Sequence, residues 1–77
     1  MIIPKEKAFF CSNGDTYYTV NQLLSALKNM DSNTYNYHVN SEKNDFANWV
    51  SDVFNKKQLA IKLRRKGKEV VLKKKRK

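Results

Sequence analysis

Apolar residues in this chain fall into short stripes with two different periods. Ala8-Phe9-Phe10-Cys11 and Thr16-Tyr17-Tyr18-Thr19 are brief runs rich in aromatic and β-branched residues, separated by Ser12-Asn13-Gly14-Asp15. This predicts a β-hairpin in which Asn13-Gly14 supplies the two positive-φ positions of a tight turn, because Gly lacks a Cβ and Asn tolerates the left-handed region. From residue 20 the period becomes helical. Val20, Leu23, Leu24, Leu27 and Met30 form one stripe, and Thr19-Val20-Asn21-Gln22 in front of it fits a capping box. A two-stranded hairpin is marginal in water by itself, so its aromatics are expected to rest on the helices that follow.

Asp31-Ser32-Asn33 interrupts the first helix and offers a fresh N-cap for a short segment from Thr34 to Val39, with Tyr35 and Val39 on one face. The polar run Asn40-Ser41-Glu42-Lys43-Asn44 reads as a loop, and Asn44 caps a third helix in which Phe46, Trp49, Val50 and Val53 recur at i, i+3, i+4 and i+7. Asn55, with Gln58 three residues on, opens a fourth helix whose Leu59, Ala60 and Leu63 face inward and which Gly67 stops. Glu69-Val70-Val71-Leu72 fits either a strand or a continuation of that helix. The expected fold is therefore mainly α (α+β), with a short N-terminal β-hairpin followed by a bundle of three to four short helices over residues 1–63. A basic C-terminal arm over residues 64–77 completes the chain.

The stretch His38-Val39-Asn40-Ser41-Glu42-Lys43-Asn44-Asp45-Phe46-Ala47-Asn48-Trp49-Val50, continuing through Asp52-Val53-Phe54 to Leu59-Ala60, resembles an uncharacterised domain family found mainly in archaea. The aromatic strand with Asn13-Gly14 and the Leu23, Leu24, Leu27, Met30 stripe are similar to the same family, so the resemblance covers residues 8–63. It implies a small α-rich fold in an archaeal or bacterial cytoplasm, and it brings no activity, catalytic residue or cofactor with it. The basic tail lies outside it.

Composition adds a size limit and a charge asymmetry. A chain of 77 residues allows one domain, and folding at this size removes only about 60% of the unfolded surface from water. Cys11 is the single cysteine, so no internal disulfide can form. No run approaches the ~20 apolar residues of a membrane span, and a cytoplasmic location is expected. The net charge of +9 is concentrated at one end. Residues 1–61 carry six lysines and six acids, whereas residues 62–77 carry ten Lys and Arg against Glu69 alone. Such segregation marks a folded body with an arm for a polyanion.

Enzyme chemistry finds little support in the sequence. His38 is the only histidine, and a catalytic reading needs Asp45 or Cys11 within hydrogen-bond reach, a constellation that spacing does not reveal. His38 is expected to fix a loop, Cys11 to be a buried inert thiol, and Asp45 to complement the dipole at the start of its helix. Phe46, Trp49 and Val53 are expected in the core rather than on a base-stacking platform. The chain is thus expected to be non-enzymatic, with no cofactor and no metal, and to bind nucleic acid, RNA and the ribosome ahead of DNA. The residues expected to neutralise phosphates are Lys62, Arg64, Arg65, Lys66, Lys68, Lys73, Lys74, Lys75, Arg76 and Lys77, with the arginines able to make bidentate contacts. Two alternatives stand beside this: a protein-interaction module with an incidental tail, which would expose an aromatic patch, and a nuclear-localisation or membrane-surface role for Lys73-Lys74-Lys75-Arg76-Lys77. The archaeal resemblance weakens the nuclear version and Val70-Val71-Leu72 is too short an apolar island for an anchor, so no membrane partner and no small-molecule substrate are expected.

Overall fold

The computed structural model describes residues 3–71. A single 3-10 turn at Lys5–Lys7 leads into a two-stranded antiparallel hairpin, β1 (Phe9–Phe10) and β2 (Thr16–Tyr17), in which Phe9 pairs with Tyr17 and Phe10 with Thr16. Four helices follow: α1 (Val20–Asn29), α2 (Ser32–His38), α3 (Asp45–Phe54) and α4 (Lys57–Lys66). A second 3-10 turn, Gly67–Val70, closes the described chain. The mainly α fold with an N-terminal hairpin is as the patterning predicts, with all four helices present.

The hairpin turn differs from expectation. Gly14 N–H donates to Cys11 O at 3.0 Å and Cys11 N–H to Asp15 O at 2.8 Å, which makes Ser12-Asn13-Gly14 a three-residue loop. Only Gly14 takes a positive φ, 98°, as three-residue loops require of their last residue. Asn13 contributes through its side chain instead, accepting from Asp15 N–H at 2.9 Å.

Helix ends follow the caps with three departures. Thr19 Oγ1 accepts from Gln22 N–H at 3.0 Å, while the Gln22 side chain reaches one residue past the cap, to Tyr18 N–H. Asp31 is the N-cap of α2, which therefore starts at Ser32 and ends at His38 rather than running from Thr34 to Val39. Asn44 caps α3 through Ala47 N–H at 3.0 Å, and its amide nitrogen donates to Leu63 O at 3.2 Å, tying the start of α3 to α4. Asn55 does not open α4. It terminates α3 in the left-handed conformation (φ 55°), donating its N–H back to Ser51 O, and α4 begins after Lys56 with no side-chain cap. Asn suits both an N-cap and a left-handed C-cap, so its identity alone does not choose between them.

The core is one aromatic-aliphatic cluster. Phe46, Leu23, Leu27, Val50 and Leu63 are its largest fully buried side chains. Phe9 sits among Phe46, His38 and Trp49 with ring centroids 5.0, 5.0 and 5.7 Å away, so the hairpin is held by its inward aromatic face. Trp49 Nε1–H donates to Lys7 O at 2.8 Å and so fastens the N-terminal segment to α3. Each large apolar side chain fully buried in such a cluster contributes about 1.5–3 kcal/mol. Val53, expected inside, is half-buried.

The chain continues to contribute to the body past residue 63. Gly67 caps α4 with φ 59°, and a Cβ placed there would lie 2.7 Å from Tyr35 Oη, so this glycine answers both a conformational and a steric demand. Lys68 then donates to the carbonyl of Met30, the C-cap of α1, and lies 5.8 Å over the Tyr35 ring. Val70 and Val71 pack against the core cluster. No helix among the described residues is long and apolar enough to cross a membrane.

Candidate nucleic-acid interface

α4 presents two chemically opposite faces. Ala60 and Leu63 are buried and Leu59 is half-buried, while Lys57, Gln58, Ile61, Lys62, Arg64, Arg65 and Lys66 are exposed. Five of those seven exposed residues are cationic and α4 contains no acid. Arg64, Arg65 and Lys66 occupy the last turn, where positive charge complements the helix dipole. Lys56 and Lys57 sit at the opposite end, where it does not.

Two of these cations are steadied by α3. Arg64 Nη2 donates to Asn48 Oδ1 at 2.8 Å, and Lys57 Nζ donates to Ser51 Oγ at 3.5 Å. Asn48 and Ser51 are neutral, so they orient the cations and leave the positive charge for an external anion. A groove of about 310 Å³ lies beside Arg64, lined by Asn48 and the loop from Val39 to Asn44. Another, of about 420 Å³, lies at the α4 N-terminus among Asn55, Lys56, Lys57, Gln58, Leu59 and Lys62.

The residues expected to neutralise phosphates therefore separate into three groups. Lys62, Arg64, Arg65 and Lys66 share the exposed side of α4. Lys68 lies beyond α4, where its ammonium donates to Met30 O and sits over the Tyr35 ring. Lys73, Lys74, Lys75, Arg76 and Lys77 lie outside the described residues. Lys57 counted toward a neutral body, although α4 places it on the same flank as Arg64; helical register drawn from Ala60 and Leu63 would have found it.

His38 has a partner that spacing did not reveal. Its ring is buried, and Nε2 accepts from Ser12 N–H at 3.0 Å. An accepting Nε2 puts the ring proton on Nδ1, which donates to Asp45 Oδ2 at 3.0 Å. Lys43 Nζ meets the same carboxylate oxygen at 3.1 Å. Burial raises the Asp45 carboxyl, but the hydrogen bonds from His38 and Lys43, with the Lys43 charge, outweigh it and hold the group below its ordinary value. Both imidazole nitrogens are thus occupied by hydrogen bonds that join the hairpin, α2 and α3, in keeping with a positioning role. Burial also pushes the Tyr17 phenol up, reinforced by Cys11 and Asp15 beside it.

Comparison with protein-family models, curated proteins and solved structures finds no match to this chain. The functional reading rests on the geometry of the described residues and the charge of the sequence. Among the described residues, no three His, Cys, Asp or Glu side chains gather in a way that could hold a metal ion.

Proposed function

We propose that this is a non-enzymatic nucleic-acid-binding protein of the cytoplasm, which engages phosphates through the exposed side of α4 and the basic segment that follows it. The observation that carries the reading is the exposure of Lys57, Lys62, Arg64, Arg65 and Lys66 together on a helix with no acid of its own. Cations at this density displace the counterions condensed on a polyanion, which makes affinity strongly dependent on salt. The tail composition by itself favours RNA, whose packed phosphates in a ribosome suit basic extensions. α4 adds a preformed helical surface, and the choice between RNA and DNA turns on how that surface meets an array of phosphates.

Binding of the full chain to polynucleotides, followed by anisotropy at low and moderate salt, tests the reading. Affinity should fall steeply with salt, and replacing Lys57, Lys62, Arg64, Arg65 and Lys66 together by Gln should weaken it at least tenfold at low salt. Equal affinity of the two proteins would refute a role for α4.

A second reading, a protein-interaction module, draws on Phe10 and Tyr37, which are 58% and 66% exposed. It requires that a protein partner be retained after nuclease treatment and lost when both aromatics are replaced by Ser.

A further inference from the structure

The exposed cations of α4 are arranged in two rows, one on each side of a ridge. Gln58, Ile61 and Arg65 recur at i, i+3 and i+7 and so lie on one stripe, directly opposite the buried Ala60 and Leu63. At 3.6 residues per turn, Lys57 and Arg64 fall about a quarter-turn to one side of that stripe, and Lys62 and Lys66 about a quarter-turn to the other. The first row leans on α3 through Ser51 and Asn48. Ile61, on the crest, is 44% exposed, although a large apolar side chain at the centre of a cationic face does nothing for solubility. The nearest acids in sequence, Asp52 and Glu69, belong to the neighbouring elements.

Two rows of positive charge flanking a ridge match two rows of phosphate flanking a groove. A helix with its side chains is about 10–12 Å across, and the major groove of B-form DNA is about 12 Å wide and admits a helix. The A-form groove of duplex RNA is too deep and narrow for side chains to read, and a single strand offers one row of phosphates, which only one flank of α4 could meet. The ridge also carries groups that base edges can use: Arg pairs with guanine O6 and N7, Gln with adenine N6 and N7, and an apolar side chain meets the thymine methyl.

We propose that α4 docks lengthwise in the major groove of duplex DNA, with Lys57 and Arg64 on one phosphate row, Lys62 and Lys66 on the other, and Gln58, Ile61 and Arg65 turned to the base edges. This rests on the nucleic-acid reading above and narrows it, placing duplex DNA ahead of the RNA that the tail alone favours.

The test uses the full chain and four probes: a DNA duplex, the RNA duplex of the same sequence, a single DNA strand, and the DNA duplex with bulky substituents on pyrimidine C5, which fill the major groove and leave the phosphates in place. The unmodified DNA duplex should bind tightest, and the C5 substituents should weaken it roughly tenfold. Arg65→Ala should lose about tenfold on that duplex and less than about threefold on the single strand, consistent with the worth of one base contact. Lys62→Gln with Lys66→Gln should lower the salt slope on the duplex by about 2. All these residues are exposed, so unchanged circular dichroism will confirm that the variants fold. Indifference to the C5 substituents, or tightest binding to either RNA duplex or single strand, overturns groove docking and leaves the broader reading standing. Failure to bind any probe overturns both.

Discussion

α3 and α4 are adjacent ten-residue helices, joined by two residues and packed on each other, yet their sequences meet different demands. α3 has a side-chain cap in Asn44, an acid in its first turn, a left-handed C-cap in Asn55, and four buried residues including Phe46 and Trp49. α4 has no side-chain cap, no acid in its first turn, lysines where its dipole is positive, and two buried residues. The first is built to hold the fold together. The second is held in place by α3, through Leu63 O on Asn44 and Arg64 on Asn48, and leaves its outer surface exposed. An uncapped, cation-bearing helix start is unfavourable when free and is relieved by an anion. The contrast points to α4 as the element under functional demand.

The largest effect should come from the first turn of α3. Phe46→Ala removes the side chain shared by Phe9, Tyr35 and His38, and should cost about 3–5 kcal/mol in urea unfolding. Substitution of the whole α4 cation row should leave the urea midpoint almost unmoved, because exposed charges contribute little to stability. A comparable loss of stability in both variants would erase the distinction between the helices.

His38→Ala should cost about 2–3 kcal/mol, since it removes a buried ring packed on Phe9 and Phe46 together with its hydrogen bonds to Ser12 and Asp45. The acid limb follows from the carboxylates. Asp45 and Asp31 are both held below their ordinary values, Asp31 by the Thr34 hydroxyl and backbone N–H. A carboxyl that is more acidic folded than unfolded stabilises the protein above about pH 4 and ceases to do so as pH falls through its folded value. Thermal unfolding should therefore be level from neutrality to about pH 5 and decline below about pH 4, with a shallower decline in Asp45→Asn.

A smaller effect, of opposite sign in the two helices, sharpens the comparison most. Asn44→Ala should destabilise by about 1 kcal/mol, whereas Lys56→Ser, which gives α4 the cap it lacks, should stabilise by about 0.5–1 kcal/mol. The same Lys56→Ser substitution should weaken polynucleotide binding modestly, measured by anisotropy. A gain in both properties would show that the bare N-terminus of α4 has no bearing on binding.

Much of this fold was legible in the sequence, and the exceptions have physical causes. The stripes of α1 and α3, the Thr19 and Asn44 caps and the Gly67 stop are local features that spacing can carry. The start of α4 was misread because Asn55 suits two opposite roles, and the hairpin turn because Asn-Gly fits both a two-residue and a three-residue loop. His38 was beyond reach of local pattern: Ser12 lies 26 residues away, and Asp45 joins it across a loop that brings Val39 against Asn44. The contact between Lys68 and Met30 was beyond reach for a different reason. A lysine in a basic run looks like its neighbours until a carbonyl from the far end of α1 is placed under it. Charge composition located the basic end of the chain, but only helical register shows which side of α4 each of its cations occupies.

The most direct measurement is the salt dependence of duplex-DNA affinity for the full chain and for the variant with Lys57, Lys62, Arg64 and Lys66 all replaced by Gln. Four phosphate contacts predict a difference of about 3.6 between the two slopes of log K against log salt. Two parallel lines would place binding outside α4 and contradict the account.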